Sequence, residues 1–117
     1  MNYILDTHTV IWFLNGNEDI TTKSKEIIEN QENLKFVSIA SIWEIAIKIS
    51  LKKFKFDNGF KKFIDLINEN GFEIIPISFD HALTVSKLKF IHRDPFDRLI
   101  ISQALTDGLT IITKSTH

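Results

Sequence analysis

Tyr3-Ile4-Leu5-Asp6 joins a short apolar run of β-forming residues to an acid at its carboxyl end. A helical pattern follows at once over residues 7–14, so the sequence predicts a strand that leads directly into a helix. An acid at this junction has two possible roles. It is a favoured N-cap for the helix, and it also lies where parallel α/β sheets place their binding sites, beyond the carboxyl ends of the strands.

The rest of the chain alternates in the same way. Further apolar runs typical of strands lie at residues 36–39, 73–77 and 110–113, and amphipathic helical patterns lie at 22–30, 42–54, 60–67, 80–88 and 95–107. Ser41 is the candidate N-cap of the helix that starts at Ile42. This alternation predicts one α/β domain over residues 1–117, with a mainly parallel central sheet.

Composition excludes several classes of protein. The 117 residues include no cysteine, which excludes disulfides, cysteine-ligated metals and thiol nucleophiles. A formal net charge of −1 gives no global attraction to nucleic acid, so any such binding needs a local basic patch. No apolar run approaches the ~20 residues that span a bilayer, and the N-terminus lacks the basic segment of a secretory signal. We therefore expect a cytoplasmic protein that does not bind membranes.

Glu44 lies in an almost entirely apolar helix start, IWEIAI at residues 42–47. A buried acid without a partner is costly, so Glu44 either pairs with Lys48 one turn later or faces a polar cleft.

Asp94 and Asp97 lie in HRDPFDR at residues 92–98, at the start of the last long helix. Acids three residues apart share a helix face, and negative charge at a helix N-terminus is favourable without any catalytic role. In a parallel sheet these two acids would converge with Asp6 and Glu44 at one edge. Clustered carboxylates repel one another unless a cation joins them, and an all-oxygen cage suits Mg²⁺ or Mn²⁺ better than zinc. Such metal sites commonly hydrolyse phosphodiesters.

At these residues the sequence strongly resembles the PIN-domain family, particularly the VapC-type toxin ribonucleases of toxin-antitoxin pairs. The matching segments are residues 5–12, 38–48, 92–104 and 109–113, of which the Trp-Glu helix and the Asp-Pro-Phe-Asp-Arg junction are the most specific. The resemblance implies a three-layer α/β/α fold and Mg²⁺- or Mn²⁺-dependent cleavage of RNA. It also implies a cognate antitoxin that blocks the activity, and a homodimer formed through apolar helical surface.

Carried over by position, the resemblance implies that Asp6, Glu44 and Asp97 are the core metal-binding and catalytic acids, with Asp94 contributing nearby. Asp6 and Asp97 would hold the metal directly, whereas Glu44 would bind it or orient the attacking water. Thr7 is a candidate for positioning a carboxylate by hydrogen bonding.

Two features depart from the family pattern. Thr113-Lys114 is followed by Ser115, where the family normally places an acid that completes the site. A hydroxyl is a much weaker metal ligand than a carboxylate. The chain then ends at His117, before a further short strand that similar proteins carry, so we expect a shortened C-terminus.

Cations near the acids are candidates to bind RNA. Lys52, Lys53 and Lys55, interleaved with Phe54 and Phe56, could guide a phosphate backbone, or they could form a solvated face over buried phenylalanines. Lys48, Arg93 and Arg98 are further candidates, although Arg98 is also spaced to pair with Asp94.

Other aromatic residues and the histidines have weaker signals. The spacing of Trp12, Trp43 and the phenylalanines favours burial or a partner interface over base stacking. The histidines show neither a metal-ligand spacing nor an evident Ser or Asp partner for nucleophilic catalysis, although His8 and His92 are candidates to line the cleft.

Two other functions remain open. The Ser115 departure favours a PIN-like binding module without catalysis that retains antitoxin or RNA binding. A phosphatase or phosphoacceptor domain would use Asp6 as nucleophile. The position two residues later, where such a phosphatase needs a second acid, is occupied by His8.

Overall fold

The computed structural model describes residues 1–16, 20–89 and 94–113. Its strands are β1 (Asn2–Leu5), β2 (Leu34–Ser38), β3 (Glu73–Ile75) and β4 (Thr110–Ile112). Its helices are α1 (Thr7–Leu14), α2 (Thr22–Glu29), α3 (Ile39–Ser50), α4 (Gly59–Glu69), α5 (Phe79–Lys87) and α6 (Pro95–Asp107). No helix in the described ranges is long and apolar enough to cross a bilayer.

The four strands form one parallel sheet in the order β3-β2-β1-β4. Leu5 pairs in register with Val37 on one side and with Ile112 on the other. The carboxyl ends of the three neighbouring strands β2, β1 and β4 therefore lie side by side. This is the edge at which the sequence predicted a site.

Helices cover both faces of this sheet. Leu5 and Val37 belong to a core cluster that includes residues of the first four helices, whereas Ile4 packs with Ile100 and Ala104 of α6 on the opposite face. Successive strand residues point to opposite faces, so an apolar run such as Ile4-Leu5 serves both layers. The predicted α/β/α architecture with a parallel sheet is confirmed.

Short polar side chains set the helix starts at the sheet edge. Asp6 caps α1 by accepting a hydrogen bond from the Thr9 amide at 2.8 Å, and Asp94 caps α6 by accepting one from the Phe96 amide at 2.8 Å. Pro95 occupies the first turn of α6, and Gly108 ends that helix in the left-handed conformation, as the sequence predicted.

The predicted start and end of the α3 helix are wrong. Ser38, not Ser41, is the N-cap, and its hydroxyl accepts a hydrogen bond from the Ala40 amide at 3.0 Å. The helix ends at Ser50, so Phe54 lies in the following loop and packs against the core from there. Because the helix begins three residues earlier than predicted, Ser41 lies within the first turn of α3, where its side chain is fully buried.

Buried His81 connects α5 to α6. Its Nδ1 accepts a hydrogen bond from the Ser78 amide at 2.9 Å, so the ring in its neutral form donates from Nε2 to Asp107 Oδ2 at 2.9 Å. His81 thus contacts Ser78 and Asp107, which the sequence did not reveal. Ser78 Oγ accepts from the His81 amide instead of donating to the ring, so this set is a helix cap and not a catalytic triad.

Candidate active site

The start of α1 is tied to α3 through Thr7. Its Oγ1 lies 2.9 Å from Glu44 Oε1 and 2.9 Å from Ser41 Oγ, and all three residues are buried. A threonine hydroxyl has one proton, so when Thr7 donates to Glu44, Ser41 must donate to Thr7. The predicted positioning of a carboxylate by Thr7 is present as this hydrogen bond. Sequence reasoning named Ser41 only as an N-cap and missed its contact with Thr7. Its position three residues before Glu44 places both residues on one helix face.

Glu44 is 4% exposed and both of its carboxylate oxygens are engaged. Oε1 faces Thr7, and Oε2 accepts a hydrogen bond from Lys48 Nζ at 2.8 Å. Of the two alternatives left open by the sequence, the pair with Lys48 is present. Glu44 also contributes to the field at Asp97, so the pairing does not remove it from the acidic edge.

The start of α6 lies beside α3. The rings of Trp43 and Phe96 meet edge to face with centroids 5.5 Å apart, and each ring residue directly precedes one of the acids, Glu44 or Asp97. Trp43 remains 57% exposed, so of the two alternatives that its spacing favours, burial in the core is excluded and a partner interface remains.

The four predicted acids interact electrostatically. Partial burial and then the negative charges of Asp94, Glu44 and Asp6 raise the pKa of Asp97 above its ordinary value, whereas His8 lowers it. Like charges raise a carboxyl pKa because each disfavours ionisation of the others. Chain segments far apart in the sequence thus bring Asp6, Glu44, Asp94 and Asp97 to one edge of the sheet, with His8 beside them.

The four acids and Thr7 offer carboxylate and hydroxyl oxygens near the sheet edge, which is the chemistry that Mg²⁺ and Mn²⁺ prefer. The positions of these oxygen donors fit a metal ion less well than their chemistry does. Within residues 1–16, 20–89 and 94–113, no group of three or more acids or histidines is placed so that it could hold one metal ion. Ser115, together with His92, Arg93 and His117, lies outside the described residues.

The predicted ion pair between Arg98 and Asp94 is not found among the contacts of the described residues. Its guanidinium donates to main-chain carbonyls at the end of α5, those of Val85 at 3.2 Å and Lys89 at 3.3 Å. These bonds satisfy carbonyls that a helix end leaves without intrahelical donors. Arg98 therefore joins α5 to α6.

The raised pKa of Asp97 gives a prediction for pH. An acid with a raised pKa in the folded state stabilises the fold below its unfolded pKa of about 3.9, and this contribution is lost as pH rises through the folded pKa. Asp97→Asn should therefore melt about 1–3 °C higher than the parent at pH 7 without metal, because a surface charge effect is a few tenths of a kcal/mol. The difference should vanish near pH 4.

Thermal melts of both proteins between pH 4 and 7 in the presence of a chelator measure this effect. Asp57→Asn, at an exposed acid in the loop before α4, is the control and should follow the parent at every pH. A constant difference between Asp97→Asn and the parent across the pH range would contradict the raised pKa of Asp97 that burial and the neighbouring acids produce.

Comparison with known proteins agrees with the fold and the motifs. The PIN domain family model matches residues 3–116. Among solved structures, the fold is similar to a chain in the crystal structure of VapBC2 from Rickettsia felis bound to a DNA fragment from their promoter. The TM-score is 0.69 at 22% identity, and the match covers 95% of this chain and 86% of that chain. No curated protein sequence gives a match.

PIN domains are generally nucleases that use divalent metals, and the family resemblance inferred from the sequence motifs is confirmed. The match runs through β1 and the Asp6 that follows it, the α3 helix with Glu44 and the start of α6 with Asp94 and Asp97. The chain belongs to the PIN-domain family.

Proposed function

We propose that the protein is a VapC-type toxin, an endoribonuclease that cleaves RNA phosphodiesters with Mg²⁺ or Mn²⁺ and is neutralised by a cognate antitoxin. The observation that carries this proposal is the match of the PIN domain family model to residues 3–116, since PIN domains are generally nucleases that use divalent metals. The raised pKa of Asp97 supports it, because its causes after burial include the charges of Asp94, Glu44 and Asp6. Mutual repulsion of this kind is relieved when a cation binds.

In this proposal, Asp6 and Asp97 hold the metal directly, Asp94 contributes nearby, and Glu44 binds it or orients the attacking water. A bound divalent ion lowers the pKa of a water molecule and stabilises negative charge on the phosphate. Thr7 fixes the Glu44 carboxylate in one orientation through its 2.9 Å hydrogen bond. Asp6 and Asp94 are themselves fixed as helix caps, so the site is largely organised before substrate binds.

The lysines after α3 supply charge for the RNA backbone. Lys52, Lys53 and Lys55 are all exposed, whereas Phe56 is 4% exposed and Phe54 packs against the core. The phenylalanines therefore support the loop from inside and do not stack on bases. Exposed lysines bind phosphates without regard to sequence, so RNA specificity would reside elsewhere on the surface.

An antitoxin and a second copy of the chain are the proposed protein partners in the cytoplasm. The structural neighbour is, by its description, a VapBC2 complex bound to DNA, which supports an antitoxin partner here. Apolar side chains on the α5 and α6 pair support self-association, because Phe79 is 80%, Leu83 44% and Leu105 64% exposed.

Incubation of the purified protein with total cellular RNA tests the proposed activity. We expect endonucleolytic fragments with Mn²⁺ or Mg²⁺, none with a chelator, and recovery when metal is restored in excess. Fragments that persist in the chelator would exclude the metal-dependent reaction.

A binding module without catalysis is the second candidate. It is favoured by the absence of a three-acid group among the described residues and by Ser115 in place of an acid. A module of this kind would bind an antitoxin or RNA without cleavage, and its melting temperature would stay constant across a Mn²⁺ titration. A phosphoacceptor domain is less well supported than either, since the matched family is one of nucleases.

A further inference from the structure

The Lys48 ammonium group occupies an unusual position beside the acidic edge. It lies 2.8 Å from Oε2 of Glu44, a residue that is 4% exposed, while its own side chain is 44% exposed. A buried carboxylate without a compensating charge is costly, and the ammonium group supplies that charge at Glu44. Because the lysine stem reaches solvent, the ammonium can move away without any repacking of the core.

The other Glu44 oxygen is held equally firmly. Thr7 lies 2.9 Å from Oε1, and Ser41 in turn lies 2.9 Å from the Thr7 hydroxyl. Glu44 is therefore fixed between a hydroxyl pair on one side and a cation on the other. A cation that is to bind this carboxylate through Oε2 must displace the ammonium group or share the oxygen with it.

This pairing lowers the net negative charge of the acidic edge. In the described residues no three acids are placed to hold one ion, although Glu44 belongs to α3 beside the start of α6. Lys48 neutralises one of the negative charges that would otherwise attract a divalent cation. The surface pair of Lys61 and Asp65 has the same spacing along α4 but involves no buried acid.

We infer that Lys48 is a positioning residue that serves as the internal counter-ion of Glu44 and competes with a divalent cation for that carboxylate. Lys48 thereby sets the metal concentration at which the site fills. This inference rests on the proposed metal-dependent function. A purely structural role makes the opposite prediction, because loss of a structural contact would disorder Glu44 and weaken metal binding.

Mn²⁺ titration by calorimetry, with melting temperatures of the metal-free proteins, tests this competition. Lys48→Met removes the charge and keeps an apolar stem, so we expect Mn²⁺ to bind roughly fivefold more tightly than to the parent, because one nearby like charge is removed. The metal-free variant should melt below the parent. Lys48→Arg keeps the charge, and its Mn²⁺ affinity should stay within about twofold of the parent value.

Lys48→Gln is a second variant, needed if Lys48→Met does not fold. It is neutral but still able to donate to Glu44, and it should also bind Mn²⁺ more tightly than the parent. Lys61→Met is the matched control, since it removes a lysine from an i,i+4 pair whose side chains are 88% and 43% exposed. Lys61→Met should leave the Mn²⁺ affinity unchanged. Its melting temperature should stay within about 1–2 °C of the parent value.

Equal or weaker Mn²⁺ binding by the neutral Lys48 variants than by the parent would overturn the inference and leave the proposed nuclease intact. Absence of Mn²⁺ binding from both the parent and the neutral variants would overturn the inference together with the metal-dependent function. Binding by a neutral variant alone would support the competition in its strongest form.

Discussion

Asp6→Asn and Asp97→Asn are each expected to reduce RNA cleavage at least about 100-fold, the loss typical when a group that stabilises charge in the reaction is removed. Both substitutions remove a negative charge and a strong metal ligand while keeping the size of the side chain. Asn at position 6 retains an oxygen that can accept the 2.8 Å hydrogen bond from the Thr9 amide, so α1 should keep its cap.

Initial rates on a labelled RNA at saturating Mn²⁺ measure this loss, and circular dichroism shows whether each variant is folded. Glu26→Gln removes a carboxylate from an exposed position on α2, outside the proposed site and the lysine loop, and should cleave at the parent rate. Folded Asp6→Asn and Asp97→Asn proteins that cleave as fast as the parent would show that these acids do not form the active site.

Phe63→Ala should have the largest effect on stability. Phe63 of α4 is 0% exposed, and its ring contacts Phe56 and Phe60 with centroids 5.3 and 6.2 Å away. Truncation of a buried phenylalanine costs about 3–5 kcal/mol through lost burial and the cavity that remains. A domain of this size is stable by only about 5–15 kcal/mol, so the variant should be close to unfolded at 37 °C.

Urea denaturation followed by circular dichroism gives the free energy of unfolding for this comparison. Leu51→Ala is the control, because truncation of an apolar side chain that is 57% exposed and lies outside the α5 and α6 pair should change stability by less than about 0.5 kcal/mol. Similar losses for the two variants would contradict the position of the core between α4 and the sheet.

Much of the fold could be predicted because local sequence and global fold agree. The apolar runs that end at Leu5 and Ile112 are strands, and the Pro95 and Gly108 signals bound α6 where the sequence placed it. Ser41 shows where such reasoning fails, since two serines three residues apart are equally good N-caps. The choice of Ser38 follows from the end of β2, which the sequence alone does not fix to one residue.

The candidate site was predictable as a set of residue types, and less so as a set of contacts. Acids after strands and at helix starts converge in any parallel sheet, which explains why Asp6, Glu44 and Asp97 could be named. The bond between Thr7 and Glu44 depends on how α1 crosses α3, and the exposure of Trp43 depends on how α6 meets α3. The angles at which α1 and α6 cross α3 are not encoded in a local sequence pattern.

Mn²⁺ binding by the parent chain is the most direct test of the claim that acids from α1, α3 and α6 form one metal site. Calorimetric titration should show saturable binding to the parent, and binding to the Asp6→Asn, Asp97→Asn double variant should be lost. Equal binding by the parent and a folded double variant, or no binding by either the parent or Lys48→Met, would contradict the account.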